Sequence, residues 1–484
     1  MSQDAPIPKE LWELIPPAAQ AALLAVFAGW QRQIADLQSQ VTTLQAQVTD
    51  LKAQLGQNSR NSSKPPSTDQ PKDKSQGKNK GGGSGRSRGG QAGHPLHRRP
   101  RLPADETFPL KPPTCRGCGQ ALAGDDPEPL WHQVVELPVV KPHVVEYQLH
   151  RLTCPGCGAC TCAALPDGVP RGGQGPRLQA FASLLVGAYR LSKRLVSTLL
   201  QDAFNIGVCP GTLCKMERQT NASLEPVVEP LREHVRRGPA NIDETGWREN
   251  RQRAWLWVVV SAAVTVFHIA RNRSGAVARF LLGPGFHWIL TSDRYSAYTW
   301  LATRQRQLCW AHLQRDFQGM VDRGNDGAPI GEELLNFTED VFHWWQRIRD
   351  GTLKRSTLRT YIDQQRPWLR ELLTRGSACR CAKSAALCRE LLKLEPALWT
   401  FTRHEGVEPT NNAAERALRH AVIWRKTSYG TDSAAGSHFV ANVLSVVATC
   451  RQQGRNVLDF LTACCQATLQ TKASPSLLPV QAAA

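Results

Sequence analysis

The chain is short of acids. It carries 41 Asp and Glu against 59 Lys and Arg over 484 residues, a formal net charge of +18. That imbalance points to a polyanionic partner, either nucleic acid or an anionic membrane surface. A long hydrophobic run is also missing. The longest, residues 254–267, spans 14 positions, short of the ~20 that a membrane-crossing helix needs, so no membrane partner is expected. The opening Met1-Ser2-Gln3-Asp4-Ala5-Pro6 has no basic stretch leading into an apolar one, and no secretory signal is expected. Nor can the cysteines all pair, because there are 15 of them, in clusters. Without an export signal they read as reduced thiols or metal ligands. What remains is ordinary: 41% hydrophobic and 21% charged residues. Such a chain can build packed cores, and at ~100–200 residues per domain it has room for several.

Residues 1–63 read as an N-terminal helix. Ile34, Leu37, Val41, Leu44, Val48, Leu51 and Leu55 recur at alternating steps of 3 and 4, the narrow stripe of a coiled coil. A homo-oligomer joined through this stripe is expected; a helix packed on its own domain is the alternative. Residues 64–103 form a linker with ten lysines and arginines, two aspartates and almost no apolar residues. Burial cannot offset its ordering entropy, and its charge suits non-specific phosphate contact. Residues 104–170 hold Cys115-Arg116-Gly117-Cys118 and Cys154-Pro155-Gly156-Cys157. Two such knuckles can offer four thiolates to one structural Zn2+, with Cys160 and Cys162 as alternative ligands. Strands are expected between them, at 132–137 and 143–152, completing a zinc ribbon-like module. Residues 171–235 read as helices: 178–191, 193–203, and a third from Pro210 to about Ser223. The short Gly-containing turn before Pro210 makes the last two helix-turn-helix-like, with a plain helical hairpin as the alternative.

Residues 236–450 change character. Asp243 lies on a strand that leads into two β-branched, aromatic-rich strands, 254–261 and 264–270. A helix follows, and then strand 287–293, which ends on Asp293. Three strands, a helix and a fourth strand match the start of a ribonuclease-H-like sheet, in which Asp243 and Asp293 lie side by side. A helical insertion is expected at about 320–405. Pro409-Thr410-Asn411-Asn412 then supplies a stop and an N-cap. Glu415 falls in the first turn of the next helix, where an acid is favourable, close to Arg416, Arg419, Arg425 and Lys426. Three carboxylates from two strands and a helix suit a two-metal phosphoryl-transfer site holding two Mg2+ ions, and the four cations suit DNA phosphates. Any one of these acids taken alone also reads as a capping or salt-bridged residue. Glu244 should point to the opposite strand face. Asp316 reads as a fourth acid or as an ion-pair partner, and His312 as a phosphate contact or a packed histidine. Residues 451–484 form a C-terminal helix and tail. The fold class expected is multidomain α+β.

Several motifs together carry a family resemblance. They are Asn61-Ser62-Ser63-Lys64-Pro65-Pro66-Ser67, the run at 89–94, the two knuckles, Asp243-Glu244-Thr245, Ser292-Asp293, Cys309-Trp310-Ala311-His312 with residues 313–317, and residues 408–419 around Glu415. Val422-Ile423-Trp424-Arg425-Lys426 belongs with them, although Thr427 stands where many relatives carry asparagine. The chain resembles the insertion sequence 66 family of DDE transposases over nearly its whole length. That resemblance implies an Asp243-Asp293-Glu415 triad, Mg2+-dependent cleavage and strand transfer, and binding of double-stranded DNA as element ends and target. It also implies a cytoplasmic, nucleoid-associated protein, with other proteins of the same element as possible accessories. Two other readings use the same residues: a DNA-binding regulator with an inactive catalytic domain, and a metal-dependent nuclease of the same fold.

Overall fold

The computed structural model of the chain describes residues 8–58, 60–62 and 100–479. Most of the expected linker, residues 64–99, lies outside them. The chain forms two compact units, one of residues 1–73, 166–191 and 214–484, the other of residues 74–165 and 192–213.

The second unit contains the cysteine knuckles. Each is a tight turn of the same build. Cys115 N donates to Gln120 O and Gly119 N to Cys115 O, both at 2.9 Å; Cys154 N donates to Ala159 O and Gly158 N to Cys154 O, again at 2.9 Å. Gly119 (φ 78°) and Gly158 (φ 73°) take the left-handed step that closes each turn. The flanks pair alike: Thr114 bridges Ala121, and β1 (Arg151–Thr153) pairs antiparallel with β2 (Cys160–Cys162), Thr153 facing Cys160. The strand expected at 132–137 does not form, and of the one expected at 143–152 only residues 151 and 152 are strand, within β1. Their alternating residues stay exposed, including Val134, Val144 and Leu149. Pro138 and Pro142 lack the N–H a ladder needs, and no core lies beneath. The same unit holds a helix, Lys193–Phe204, capped by Ser192 and closed by Asn205 at φ 52°.

The first unit begins with two helices, α1 (Lys9–Trp12) and the 39-residue α2 (Pro17–Leu55). The heptad stripe is solvent-exposed: Leu37 is 59% and Leu44 57% accessible. Next come α3 (Pro176–Gly187), then the Lys193–Phe204 helix as α4, then α5 (Pro210–Val235). The helix expected to stop near Ser223 runs on through Pro226 and Pro230. Both prolines are exposed, while Leu224, Val227, Val228, Leu231 and Val235 are buried. That apolar face outweighs the two missing donors.

A five-stranded sheet follows: β3 (Ala240–Glu249), β4 (Gln252–Val260), β5 (Thr265–Ala270), β6 (Leu290–Ser292) and β7 (Arg306–Leu308). Its order is β5-β4-β3-β6-β7. The first three strands are antiparallel, and β6 and β7 run parallel to β3. Helix α6 (Gly275–Leu282) precedes β6. Both outer edges are closed by helices. On β5, Thr265 N and Phe267 N donate to Thr449 Oγ1 (3.1 Å) and Ser445 Oγ (2.8 Å). On β7, Arg306 O accepts from Thr400 Oγ1 at 2.6 Å.

Helices α7 (Trp310–Asp322), α8 (Ala328–Arg349), α9 (Arg355–Ser377), α10 (Ala382–Leu394) and α11 (Thr400–Arg403) surround a core of their own. Trp310, Phe337, Trp399, Phe401, Leu358 and Leu373 are all buried there. Helix α12 (Asn412–Ser428) returns to the sheet, followed by α13 (Ala434–Gln452) and α14 (Val457–Leu469). Among the described residues no helix is long and apolar enough to cross a membrane.

Candidate active site

Strand register brings the first two acids level. Ala240 pairs with Leu290 and Asn241 with Thr291, so continuing in step sets Asp243 beside Asp293, just past the end of β6. Helix α12 supplies the third. Ala414, Leu418, Ala421 and Trp424 bury one stripe, and Glu415, Arg419, Val422 and Lys426 run beside it along one wall of an open cleft of about 1080 Å³. Asp243, Asp293, Arg273, His312, Arg315 and Arg425 line the rest.

Sequence reading expected a stop and an N-cap within residues 409–412, and the N-cap residue is Asn411, but its side chain caps nothing. Wholly buried, it stitches α12 to β3: Nδ2 donates to Ile242 O at 2.8 Å, and Oδ1 accepts from Asn241 Nδ2 at 3.1 Å. Its backbone N donates to Cys309 Sγ at 3.1 Å. The other end of α12 is tied by Gly430, at φ 125°, where any Cβ would run into Arg248 O. Thr431 N donates to that same oxygen at 2.9 Å, and Asn250 N to Thr431 O at 2.8 Å. Gly430→Ala should therefore lower stability by about 1–3 kcal/mol and loosen α12 from β3, seen as faster amide exchange in 424–431.

The acids differ in surroundings. Asp243 accepts Glu244 N at 2.8 Å, and no cation of the chain pairs with it among the described residues. Burial, then the charges of Glu244 and Asp293, push its pKa well above the ordinary carboxylate range. Asp293 is oriented by Tyr295 N, 2.9 Å from Oδ1. Glu415 is gripped by Arg315 (3.1 Å to Oε1), with His312 Nδ1 3.5 Å away. Burial, then the Arg315 charge, lowers the His312 pKa and keeps its ring neutral. Among the described residues, the group whose ligand atoms lie within 4.8 Å of one another is Cys309, His312 and Glu415; the three acids share the cleft at wider spacing. Burial pushes the Cys309 thiol up to about 12, and its sulfur accepts from Asn411 N.

Glu244, expected on the far face of β3, also reaches the cleft wall. Its carboxylate is engaged by Arg273 and by the Tyr298 hydroxyl. Asp316 pairs with Arg294 at 2.7 Å, and Arg294 also engages Glu390. Arg419 and Lys426 are exposed on the cleft, Arg416 is exposed outside it, and Arg425 is committed to β3, donating to Gly246 O (2.7 Å) and Thr245 Oγ1 (3.0 Å). Gly246 leaves room for that guanidinium, since a Cβ would stand 3.2 Å from it. Sequence reasoning missed Arg273, Tyr298, Arg315 as the Glu415 partner, and buried Arg306, which donates to Asp293 O at 3.2 Å. The Cys-Trp-Ala-His motif leading into Arg315 was the one available signal.

In the knuckles, Cys115 pairs with Cys118 and Cys154 with Cys157, and backbone N–H groups of each turn lower the Cys115 and Cys154 pKa values. No three of these thiols come within 4.8 Å of one another among the described residues.

These features define a class, α+β proteins in which a mixed sheet presents acids, and the helices beside it cations, to one open cleft. The chain belongs to the IS66 transposase family, whose description is Transposase IS66 family and whose match spans residues 178–438. Residues 10–100 match a family of unknown function, DUF6444. The chain is similar to two uncharacterized proteins of Sinorhizobium fredii (strain NBRC 101917 / NGR234). It is 29% identical to y4qI over 240 residues, 43% of each chain, and 24% identical to y4hP over 392 residues, 72% of this chain and 69% of that one. It thus spans less than half the length of the first.

Proposed function

We propose that this protein is a DNA transposase that binds the ends of its own element and carries out cleavage and strand transfer with Asp243, Asp293 and Glu415. One observation carries the reading: a single cleft is lined by all three acids and rimmed by Arg419 and Lys426. The sheet order, three antiparallel strands and then two parallel ones, supports a ribonuclease-H-like domain.

The donor set fits magnesium. Carboxylate oxygens are hard ligands, and no cation pairs with Asp243 among the described residues. Asp243, Asp293 and Glu415 would hold two ions, which when bound supply Lewis acidity to attacking and departing oxygens. The rest falls to the chain. Arg419 and Lys426 bind backbone phosphates as sequence-independent contacts. Arg315 competes for Glu415, so this carboxylate must turn from α7 toward the two aspartates. Arg306 and Tyr295 N hold Asp293 in place. Helices α4 and α5, separated by residues 205–209, support the helix-turn-helix reading of DNA contact. The exposed α2 stripe supports pairing of chains, which would bring two element ends together.

Each knuckle by itself suits one half of a zinc site, being a tight Cys-x-x-Cys turn with Gly117 N 3.4 Å from Cys115 Sγ in the first; no three of the thiols lie within 4.8 Å of one another among the described residues, so the two turns would have to close on the ion. Cys115, Cys118, Cys154 and Cys157 would close a structural site. Elemental analysis of purified protein should find one zinc per chain. Cys118→Ser with Cys157→Ser should remove it and weaken end binding while the melting of the sheet-containing unit stays put; full zinc in that variant would refute the ligand set.

The deciding experiment is a cleavage and joining assay with labelled element-end DNA, in Mg2+ or in EDTA. Metal-dependent nicks at the end, followed by joined products, are expected. Nicks without joining would favour the nuclease reading; binding alone would favour the regulator.

A further inference from the structure

The polar sequence after α2 builds a turn from its own side chains. Asn61 Oδ1 accepts from Asn58 N at 2.8 Å, Asn58 Oδ1 from Arg60 N at 2.9 Å, and Ser62 Oγ donates to Asn58 O at 2.6 Å. The Asn61 amide has two hydrogens. One goes to Gly56 O (3.0 Å), which closes the helix end. The other goes 261 positions along the chain, to Asp322 Oδ2 at 2.6 Å. Beside it the Asn61 carbonyl settles onto Gly319, where a Cβ would stand only 2.6 Å from that oxygen. Gly319 lies inside α7 and is buried. Glycine is a poor helix former, so its place here is explained by what lies against it.

Helix α7 has a single face that matters. His312, Arg315, Asp316, Gly319 and Asp322 recur at steps of 3, 1, 3 and 3, so all five share it. The first three line the cleft, and the last two hold the turn. At 1.5 Å per residue, Gly319 sits ~6 Å along the axis from Arg315.

We propose that the Asn58–Ser62 turn is a docking element. It seats in the Gly319 notch of its own chain and fixes the end of the exposed α2 stripe to the helix that holds Glu415. The N-terminal helix is then no loose tether, and where two chains pair along α2, the pairing sets where their clefts stand. This last consequence rests on the pairing proposed above; the docking does not.

Hydrogen exchange on the full-length protein tests it. The peptide 57–62 should be protected in the wild type, and its protection should fall at least ~10-fold in Gly319→Ala and in Asp322→Ala. Alanine favours helix, so melting of the sheet-containing unit should not drop in Gly319→Ala. Equal exchange in all three proteins, or a drop in melting with protection unchanged, would overturn the docking. A second arm uses Leu44→Asp with Leu51→Asp, sized by light scattering. Protection that survives in a monomeric variant supports docking within one chain. Protection that vanishes on dissociation means the notch takes a partner's turn and overturns it. A wild-type chain that is monomeric with its turn protected supports the docking and removes the pairing.

Discussion

Asp243→Asn is expected to abolish strand cleavage and, in metal-free buffer at neutral pH, to make the protein more stable. The two effects share one cause. Asp243 is buried beside Glu244 and Asp293 with no cation paired to it among the described residues, and its folded pKa stands well above the unfolded value. The folded state therefore binds this proton more tightly than the unfolded chain does. The resulting stability is present below the unfolded carboxylate range near ~4 and is lost as pH rises through the raised folded pKa. Asparagine keeps the shape and removes the charge, so the acid-side advantage should persist at neutral pH as a higher melting temperature. In the proposed reaction the same change would delete a metal ligand and a negative charge, and cleavage should fall by at least about 10²–10³-fold. End binding, which the proposal assigns to exposed cations, should stay within about threefold of wild type. Melting curves from pH 4 to 8 and a labelled-end assay check both halves. A variant that melts lower at pH 7 would show that Asp243 is paired in solution; unchanged cleavage would remove it from the triad.

Trp399→Ala should give the largest loss of stability. Trp399 is 1% exposed, its ring lies 5.2 Å from Trp310 and 6.1 Å from Phe337, and its Nε1 donates to Glu395 Oε1 at 2.7 Å. Burial works against the Glu395 charge, yet Arg366 and Trp399 hold its pKa below the ordinary range. Removing the ring leaves a large cavity, costing about 3–5 kcal/mol, and deprives a buried carboxylate of a donor. At roughly 2–4 °C per kcal/mol, melting should fall by about 10 °C or more. Trp399→Phe keeps most of the apolar contact and should lose less than half as much. Equal losses from both variants would mean that the hydrogen bond, and not the packing, dominates.

The strands that build the site were legible because each is an apolar run punctuated by a polar end. Asp293 could be placed from such an end and Glu415 from its position just past a helix stop, whereas Asp243 lies within β3 and was placed by the expected order of the strands. The positioning shell was not legible. Arg315 meets Glu415 across 100 positions, and Asn411 meets Ile242 across 169, and no local period encodes such pairs. Local rules also misjudged α5, where buried face residues override two prolines. They misjudged residues 132–150 in the other direction, because alternation without a sheet to join does not make a strand.

The sheet has no free margin. Ser445 and Thr449 occupy the outward N–H groups of Thr265 and Phe267, and Thr400 takes up Arg306 O on the opposite side. These contacts occupy edge groups that a strand from a neighbouring copy would need, which disfavours edge-to-edge pairing. If copies of the chain pair as proposed, this arrangement leaves recognition between them to side chains.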